Sequence, residues 1–434
     1  MSNQFQLLKE QRFRPFFNTQ FLGAFNDNVF KTALITLVAF HAASLTSMNG
    51  KMLATILPGV FILPFFMFSA TAGQIADKFE KSRIMRFVKV LEIAIMLVAS
   101  AGFYWHNIWL LGCSLFMMGV HSALFGPVKY AYLPQHLREN ELIGGNGMVE
   151  MGSFVAILLG QVLGAWLANK GSIIIGLTII SIAILGYFCS RSIPNSPAAD
   201  ASLKINWNIV TETWRNLKYA WRNQTIWLAL VAISWFWFYG AILLSQFPVF
   251  ARDVLHGDES VFILLLSIFS LGIGVGSLGC ENLAKGKVEL GLVLFGAIGM
   301  AIFGFDFARS SSLQASSTGD LLTFSQFLTG LVQFRLVFDI AALGVFAGFY
   351  IVPLYALIQT IGEKSHQSRT IAANNILNAL FMVASVGFAM LIFSLNYTIV
   401  QLFMATVVLH VLVIAYLCWR QPEYLSAFKI WVKK

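Results

Sequence analysis

The chain has 434 residues, 58% of them apolar, a mean hydropathy of +0.74 and only 11% charged residues. That balance excludes an ordinary soluble domain and predicts an all-α polytopic membrane protein. The net charge of +9 does not indicate a nucleic-acid partner, because the basic residues fall in short loops between apolar runs. Cys113, Cys189, Cys280 and Cys418 are scattered through apolar segments with no C-x-x-C pair, which argues against a disulfide frame or a metal site.

The opening stretch, residues 1–15, has no short apolar core with a cleavage site and is read as a tail leading into the first span. A hydropathy window then predicts twelve transmembrane helices. They lie near 16–43, 52–76, 84–104, 108–129, 142–168, 171–190, 225–250, 260–280, 288–308, 331–358, 370–395 and 398–419. Of the 29 Lys and Arg, Lys51, Lys170, Arg252 and Arg309 fall on one set of alternate loops, and Lys31 and Arg335 fall within spans. All the others lie on the loops that share a side with the N-terminus or in the adjoining ends of the spans. The positive-inside rule therefore predicts both termini in the cytoplasm.

The first span carries Asn26, Asp27, Asn28 and Lys31 in an otherwise apolar run. A bare carboxylate near the bilayer centre costs about 3 kcal/mol on insertion scales, so such a group marks a polar cavity or a partner. Asp27 and Lys31 are four residues apart and share a helix face. Two readings stay open: a self-neutralising pair that holds the helix in the bundle, or a site for a zwitterionic group. In the second, the carboxylate meets an ammonium and the lysine a phosphate.

Between the second and third spans, Gly73-Gln-Ile-Ala-Asp77-Lys78 is followed by Lys81 and Arg83. Gly73 allows close helix approach, and Asp77 at a span's end can pair with basic residues and lock one conformation. These five residues are the expected gate. Lys89 and Glu92 in the third span, and Arg335 and Asp339 in the tenth, are spaced as ion pairs. Lys129 is expected at the end of the fourth span, where it can snorkel. Asn146 and Glu150 share a face of the fifth span, and Glu150 has no base nearby in its own helix, so it is a candidate for substrate contact or for proton or cation coupling. Asn374, Asn375 and Asn378 put amides into the eleventh span.

Residues 191–224 form the longest polar stretch and divide the chain into halves 1–190 and 225–434. Trp207, Val210, Trp214, Leu217 and Trp221 recur at helical spacing, opposite Lys204, Arg215, Lys218 and Arg222. That pattern predicts an amphipathic helix on the membrane surface, read first as a tether and second as a binder of anionic lipid. The halves echo one another: Pro127 precedes Asn146 much as Pro353 precedes Asn374. Two six-helix halves around a central cavity follow from that repeat. Gly274-Val-Gly276-Ser-Leu-Gly279 matches a dinucleotide fingerprint but lies inside an apolar span, so it is read as helix packing. No metal motif, acyltransferase motif or cofactor site is recognised.

The Gly73–Lys78 segment resembles the loop signature of the major facilitator superfamily, at the right place in the chain. Gln20-Phe-Leu-Gly-Ala-Phe-Asn-Asp-Asn28, Gly126-Pro-Val-Lys-Tyr130, Gly145-Asn-Gly-Met-Val-Glu150, Ala156-Ile-Leu-Leu-Gly160 and Val352-Pro-Leu-Tyr-Ala-Leu357 resemble the bacterial lysophospholipid transporter family. The likeness spans nearly the whole chain and is closest to the transporter portion of members fused to an acyltransferase. It implies a non-enzymatic flippase of the bacterial inner membrane. Such a protein moves lysophosphatidylethanolamine-type lipids from the outer to the inner leaflet, where a cytoplasmic acyltransferase restores the missing chain. It further implies substrate binding by Asp27 and Asn28, with Asn26, Lys31, Lys129, Asn146, Glu150, Gln246 and Asn374 as further contacts. The seventh span departs from the expected pattern: it holds Gln246 and no arginine for the phosphate, so Lys31 or Lys129 takes that role. A proton-coupled exporter of drugs or small metabolites is the competing expectation.

Overall fold

A computed structural model describes residues 4–45, 50–312, 321–361 and 363–433. The side chain of Lys51 and residues 313–320 of the loop near the ninth span lie outside the described residues. In chain order the helices are α1 (Arg14–Leu45), α2 (Gly50–Lys78), α3 (Lys81–Tyr104), α4 (Ile108–His136), α5 (Leu142–Ala168), α6 (Ser172–Arg191), α7 (Ile209–Arg222), α8 (Gln224–Val249), α9 (Glu259–Ala284), α10 (Leu290–Ser311), α11 (Phe324–Phe327), α12 (Leu331–Ile361), α13 (Gln367–Ser394), α14 (Ile399–Arg420) and α15 (Glu423–Val432). Asn107, Asn223 and Thr398 cap α4, α8 and α14 by accepting hydrogen bonds from first-turn amides.

Ten of these helices are long and apolar enough to cross a membrane: α2, α4, α5, α6, α8, α9, α10, α12, α13 and α14. α1 and α3 reach similar length but carry Asn26, Asp27, Asn28 and Lys31, and Lys89 and Glu92, in mid-helix. Their polar groups are directed into the bundle, which is why hydropathy alone understates them.

Neighbour relations in the first six long helices recur in the last six. The pairs α1–α5, α2–α4 and α3–α6 correspond to α8–α13, α9–α12 and α10–α14. Between the two sets, α2 packs on α13 and α5 on α9. Small residues allow the tightest crossings. A Cβ on Gly276 of α9 would stand 2.0 Å from the Val345 carbonyl oxygen of α12, and one on Gly160 of α5 would stand 2.7 Å from the Phe25 carbonyl oxygen of α1. Gly276 is thus a packing residue, as its apolar surroundings predict.

Several elements differ from expectation. α4 runs on to His136 through Pro127 and Pro134, so Lys129 lies two turns inside the helix instead of at its end. Arg335 pairs with Asp306 of α10, not with Asp339 one turn away on its own helix, because the adjacent helix presents both oxygens of a carboxylate to its Nε and Nη2. α15 lies beyond the last predicted span. It packs on α10, and the Trp431 indole N–H donates to the Leu283 carbonyl (3.1 Å). The basic end of the bundle is the one that carries both termini, the α2–α3 and α4–α5 turns and the linker before α8.

Candidate functional site

The four polar residues of α1 point in different directions, since successive residues of a helix are offset by about 100°. Asn26 is fully buried and donates to Glu92 Oε1 of α3 (2.8 Å). Glu92 also pairs with Lys89 and lies 3.2 Å from His121 Nε2 of α4. Lys89, Glu92 and His121 are nearly inaccessible, so this is a closed ionic cluster joining α1, α3 and α4. Asn28 donates to the Ala24 carbonyl of its own helix (2.8 Å) and lies where α1 meets Gly160 of α5. Asn26 and Asn28 are therefore engaged in helix packing.

Asp27 is different. Its Oδ2 accepts from the Ser122 hydroxyl of α4 (2.8 Å), while Oδ1 is buried without a hydrogen-bond partner. An orphaned carboxylate oxygen is costly unless something completes it. Lys31 lies one turn on and forms no salt bridge with Asp27. Its ammonium sits over the Phe61 ring of α2, 5.0 Å from the centroid. The two charges make no direct contact, and both keep unused hydrogen-bonding capacity.

Further along, Lys129 donates to Ser153 of α5 (3.3 Å) and sits 4.6 Å from the centroid of the Tyr130 ring. Ser153 in turn donates to Gln20 of α1 (3.2 Å). The Tyr130 hydroxyl donates to Glu150 Oε1 (2.5 Å). Tyr130 stacks flat on Tyr355 of α12, with centroids 4.3 Å apart, and the Trp237 indole of α8 donates to the Tyr355 hydroxyl (3.4 Å). Phe154 of α5 stacks on Trp237 (6.4 Å). An aromatic bridge therefore spans the two helix sets, with the buried Glu150 at one end. Asn374 of α13 is buried nearby, and Asn378 accepts from Ser234 of α8 (2.9 Å). Gln246 sits one turn from the far end of α8, where it donates to Ser245 (3.3 Å).

Beyond this bridge the basic end is closed. Asp77 Oδ2 accepts from Arg369 Nε of α13 (2.9 Å), and Oδ1 accepts from the Ser368 amide (3.1 Å). Gly73 makes that approach possible: a Cβ there would stand 2.7 Å from Ala372 Cβ. Asn146 and Gln359 exchange amide hydrogen bonds of 2.7 and 3.0 Å, joining α5 to α12. The Gln4 amide donates to Glu281 of α9 (2.9 Å). Among the described residues, the hydrogen bonds that join the two helix sets all lie at this end. The gate basics act elsewhere: Lys81 Nζ donates to Pro197 (3.4 Å), Lys78 lies over Phe79, and Arg83 lies 3.8 Å from Glu80.

The sequence pattern did not identify Arg369, Gln359, Ser122, Tyr355 or Trp237. Arg369 heads its helix like any snorkelling arginine, and only the fold puts it against Asp77, 292 residues away.

A family model described as Major Facilitator Superfamily matches residues 16–334. The lysophospholipid transporter LplT of Shigella boydii serotype 4 (strain Sb227) is 29% identical over 352 residues, 80% of this chain and 79% of that protein. LplT of Escherichia coli O1:K1 / APEC shows the same identity and coverage. Among solved structures, the human organic anion transporter MFSD10 superposes with a TM-score of 0.72 at 13% sequence identity, over 93% of this chain and 99% of that one. At that identity the likeness concerns the fold alone.

Proposed function

The chain belongs to the major facilitator superfamily, and from that premise we propose that it is a lysophospholipid transporter of the bacterial inner membrane. It moves lysophosphatidylethanolamine-type lipids from the outer to the inner leaflet by alternating access, and a cytoplasmic acyltransferase acting on the product is a fitting downstream partner. The observation that carries this reading is the likeness, over four-fifths of the chain, to proteins named lysophospholipid transporters. The site is chemically compatible. Asp27 offers an unpartnered carboxylate oxygen to an ammonium, and Lys31 offers donors to a phosphate.

In this reading α1 and α3 join the ten apolar helices to make twelve spans, in halves 1–190 and 225–434 joined by 191–224. The basic end faces the cytoplasm, in keeping with the positive-inside rule. Its closure by Asp77–Arg369 and Asn146–Gln359 corresponds to an outward-open state, in which a headgroup reaches Asp27 from the outer leaflet. Glu150, Lys129 and the Tyr130–Tyr355 bridge form the floor of that cavity. Gating then consists of exchanging these contacts for a new set at the other end.

The test is uptake of labelled lysophosphatidylethanolamine by spheroplasts that lack their own lysolipid transporter. Uptake should require the chain and fall sharply in Asp27→Asn. No uptake by a well-folded protein removes the lysolipid reading and leaves a proton-coupled exporter of drugs or small metabolites.

A further inference from the structure

The linker helix α7 is more than a tether by its contacts. Trp207, just before α7, and Val210, Trp214 and Trp221 on it are 66–78% exposed, an unusual display of three indoles along a short polar segment. Arg215, Lys218 and Arg222 are exposed beside them, as is Lys204. The only acid between residues 201 and 224 is Glu212, which is turned inward: it is 4% exposed and accepts from Asn206 (3.3 Å) and Arg215 (3.4 Å). The outward surface is therefore aromatic and purely cationic. Aromatic rings suit the interfacial layer of a bilayer, and the cations beside them match anionic headgroups, not neutral ones.

The inward side of the linker grips the gate. Gln74 and the Asn206 backbone exchange hydrogen bonds of 2.7 and 3.0 Å. The Asp200 amide donates to the carbonyl oxygen of Asp77 (2.9 Å), and the Ser196 amide donates to Glu80 (2.8 Å). On the other helix set, Tyr219 of α7 stacks on His366, centroids 4.6 Å apart, three residues before Arg369. The linker thus contacts both helices that make the Asp77–Arg369 closure, α2 at Asp77 and the start of α13 at His366.

We propose that α7 is a docking surface for anionic phospholipid, and that its occupancy stabilises the Asp77–Arg369 closure. Anionic lipid binds the exposed rings and cations. This fixes α7 against α2 and the start of α13, so lipid charge biases the protein toward the state closed at the basic end. By linkage, anything that opens that closure weakens lipid binding by the same factor.

The test uses hydrogen–deuterium exchange on the full chain reconstituted in vesicles of pure phosphatidylcholine or of phosphatidylcholine with phosphatidylglycerol. Phosphatidylglycerol should slow exchange about fivefold or more, both in residues 206–222 and in residues 363–370. The effect should vanish in R215Q/K218Q/R222Q and in about 1 M salt, where charge screening acts over about 3 Å. All three substituted residues are exposed, so the variant should fold, and its exchange in neutral vesicles checks this. Equal exchange in both lipids, or an undiminished lipid effect in the variant, would overturn the proposal. Protection confined to α7 would overturn the coupling to the gate. Neither readout depends on lysolipid transport, so failure here is separable from failure of the transport reading.

Discussion

Asp27, half-buried in α1, and Glu92, fully buried in α3, show how two carboxylates in apolar helices come to be placed differently. Glu92 is engaged on both oxygens, by Asn26 and by Lys89, with His121 3.2 Å away, and is closed off from any ligand by burial. Asp27 has one oxygen satisfied by Ser122 and one unsatisfied. Their substitutions should therefore separate. Glu92→Gln leaves the Lys89 ammonium buried without its counter-charge, a change that costs about 3–5 kcal/mol for buried pairs. A clear loss of thermal stability in detergent is expected. Asp27→Asn keeps the Ser122 hydrogen bond and should leave the melting temperature close to that of the parent chain. It should cut lysophosphatidylethanolamine uptake about tenfold or more, the scale of a lost charge-assisted hydrogen bond. Uptake unchanged by Asp27→Asn would remove this residue from the site.

At the scale of elements, the packing of α1 depends on the segment before it as well as on its own apolar face. Arg12 donates to both oxygens of Glu141 (2.7 and 2.8 Å) and to the His136 carbonyl (2.7 Å), clamping the N-terminal segment to the α4–α5 turn. The hydrogen bonds from Arg12 hold the Glu141 carboxyl below the ordinary glutamate range, outweighing the opposing effect of partial burial. A folded-state pKa that is depressed contributes its stability in full above the unfolded value of about 4.3 and loses it as pH falls through the depressed value. Residues 4–13 should thus exchange amide hydrogens faster, after correction for intrinsic rates, near pH 3 than near pH 6. Glu141→Gln should loosen the segment at both. A second element-level expectation concerns Gly160, where any side chain meets the backbone of α1. Gly160→Leu should lower the melting temperature more than Gly240→Leu, since nothing lies within 4 Å of a Cβ at Gly240.

At the scale of the whole molecule, the closure at the basic end is a small set of contacts between α2 and α13 and between α5 and α12. Such contacts must break for access to alternate. Asp77→Asn should therefore shift the population toward opening at that end. The readout is labelling of a cysteine placed near the aromatic bridge, in a variant without Cys113, Cys189, Cys280 and Cys418. Faster labelling from the basic end is expected, and unchanged labelling would mean that the closure does not depend on this pair. Conversely, a disulfide between Asn146→Cys and Gln359→Cys should stop uptake when oxidised and restore it on reduction.

Much of this architecture was legible in the sequence, because a bilayer imposes a length and an apolarity on every crossing helix, and the linker announces itself by polar residues at helical spacing. The all-helical class, most span boundaries, the exceptional place of Asp27 in an apolar helix and the close approach at Gly73 follow from rules that act within a single segment. The tertiary structure alone decided which polar groups are spent and which are free. Asn26 and Asn28 flank Asp27 in sequence, yet are consumed by Glu92 and by the α1–α5 contact. Asn146, expected in the cavity, is paired with Gln359, 213 residues away. Arg369 reaches Asp77, and Asp306 takes Arg335 from Asp339, through the same kind of distant contact. Helical periodicity sets the direction of a side chain to within one helix face, but the group that faces it belongs to another helix. Which helix that is depends on packing across the whole bundle.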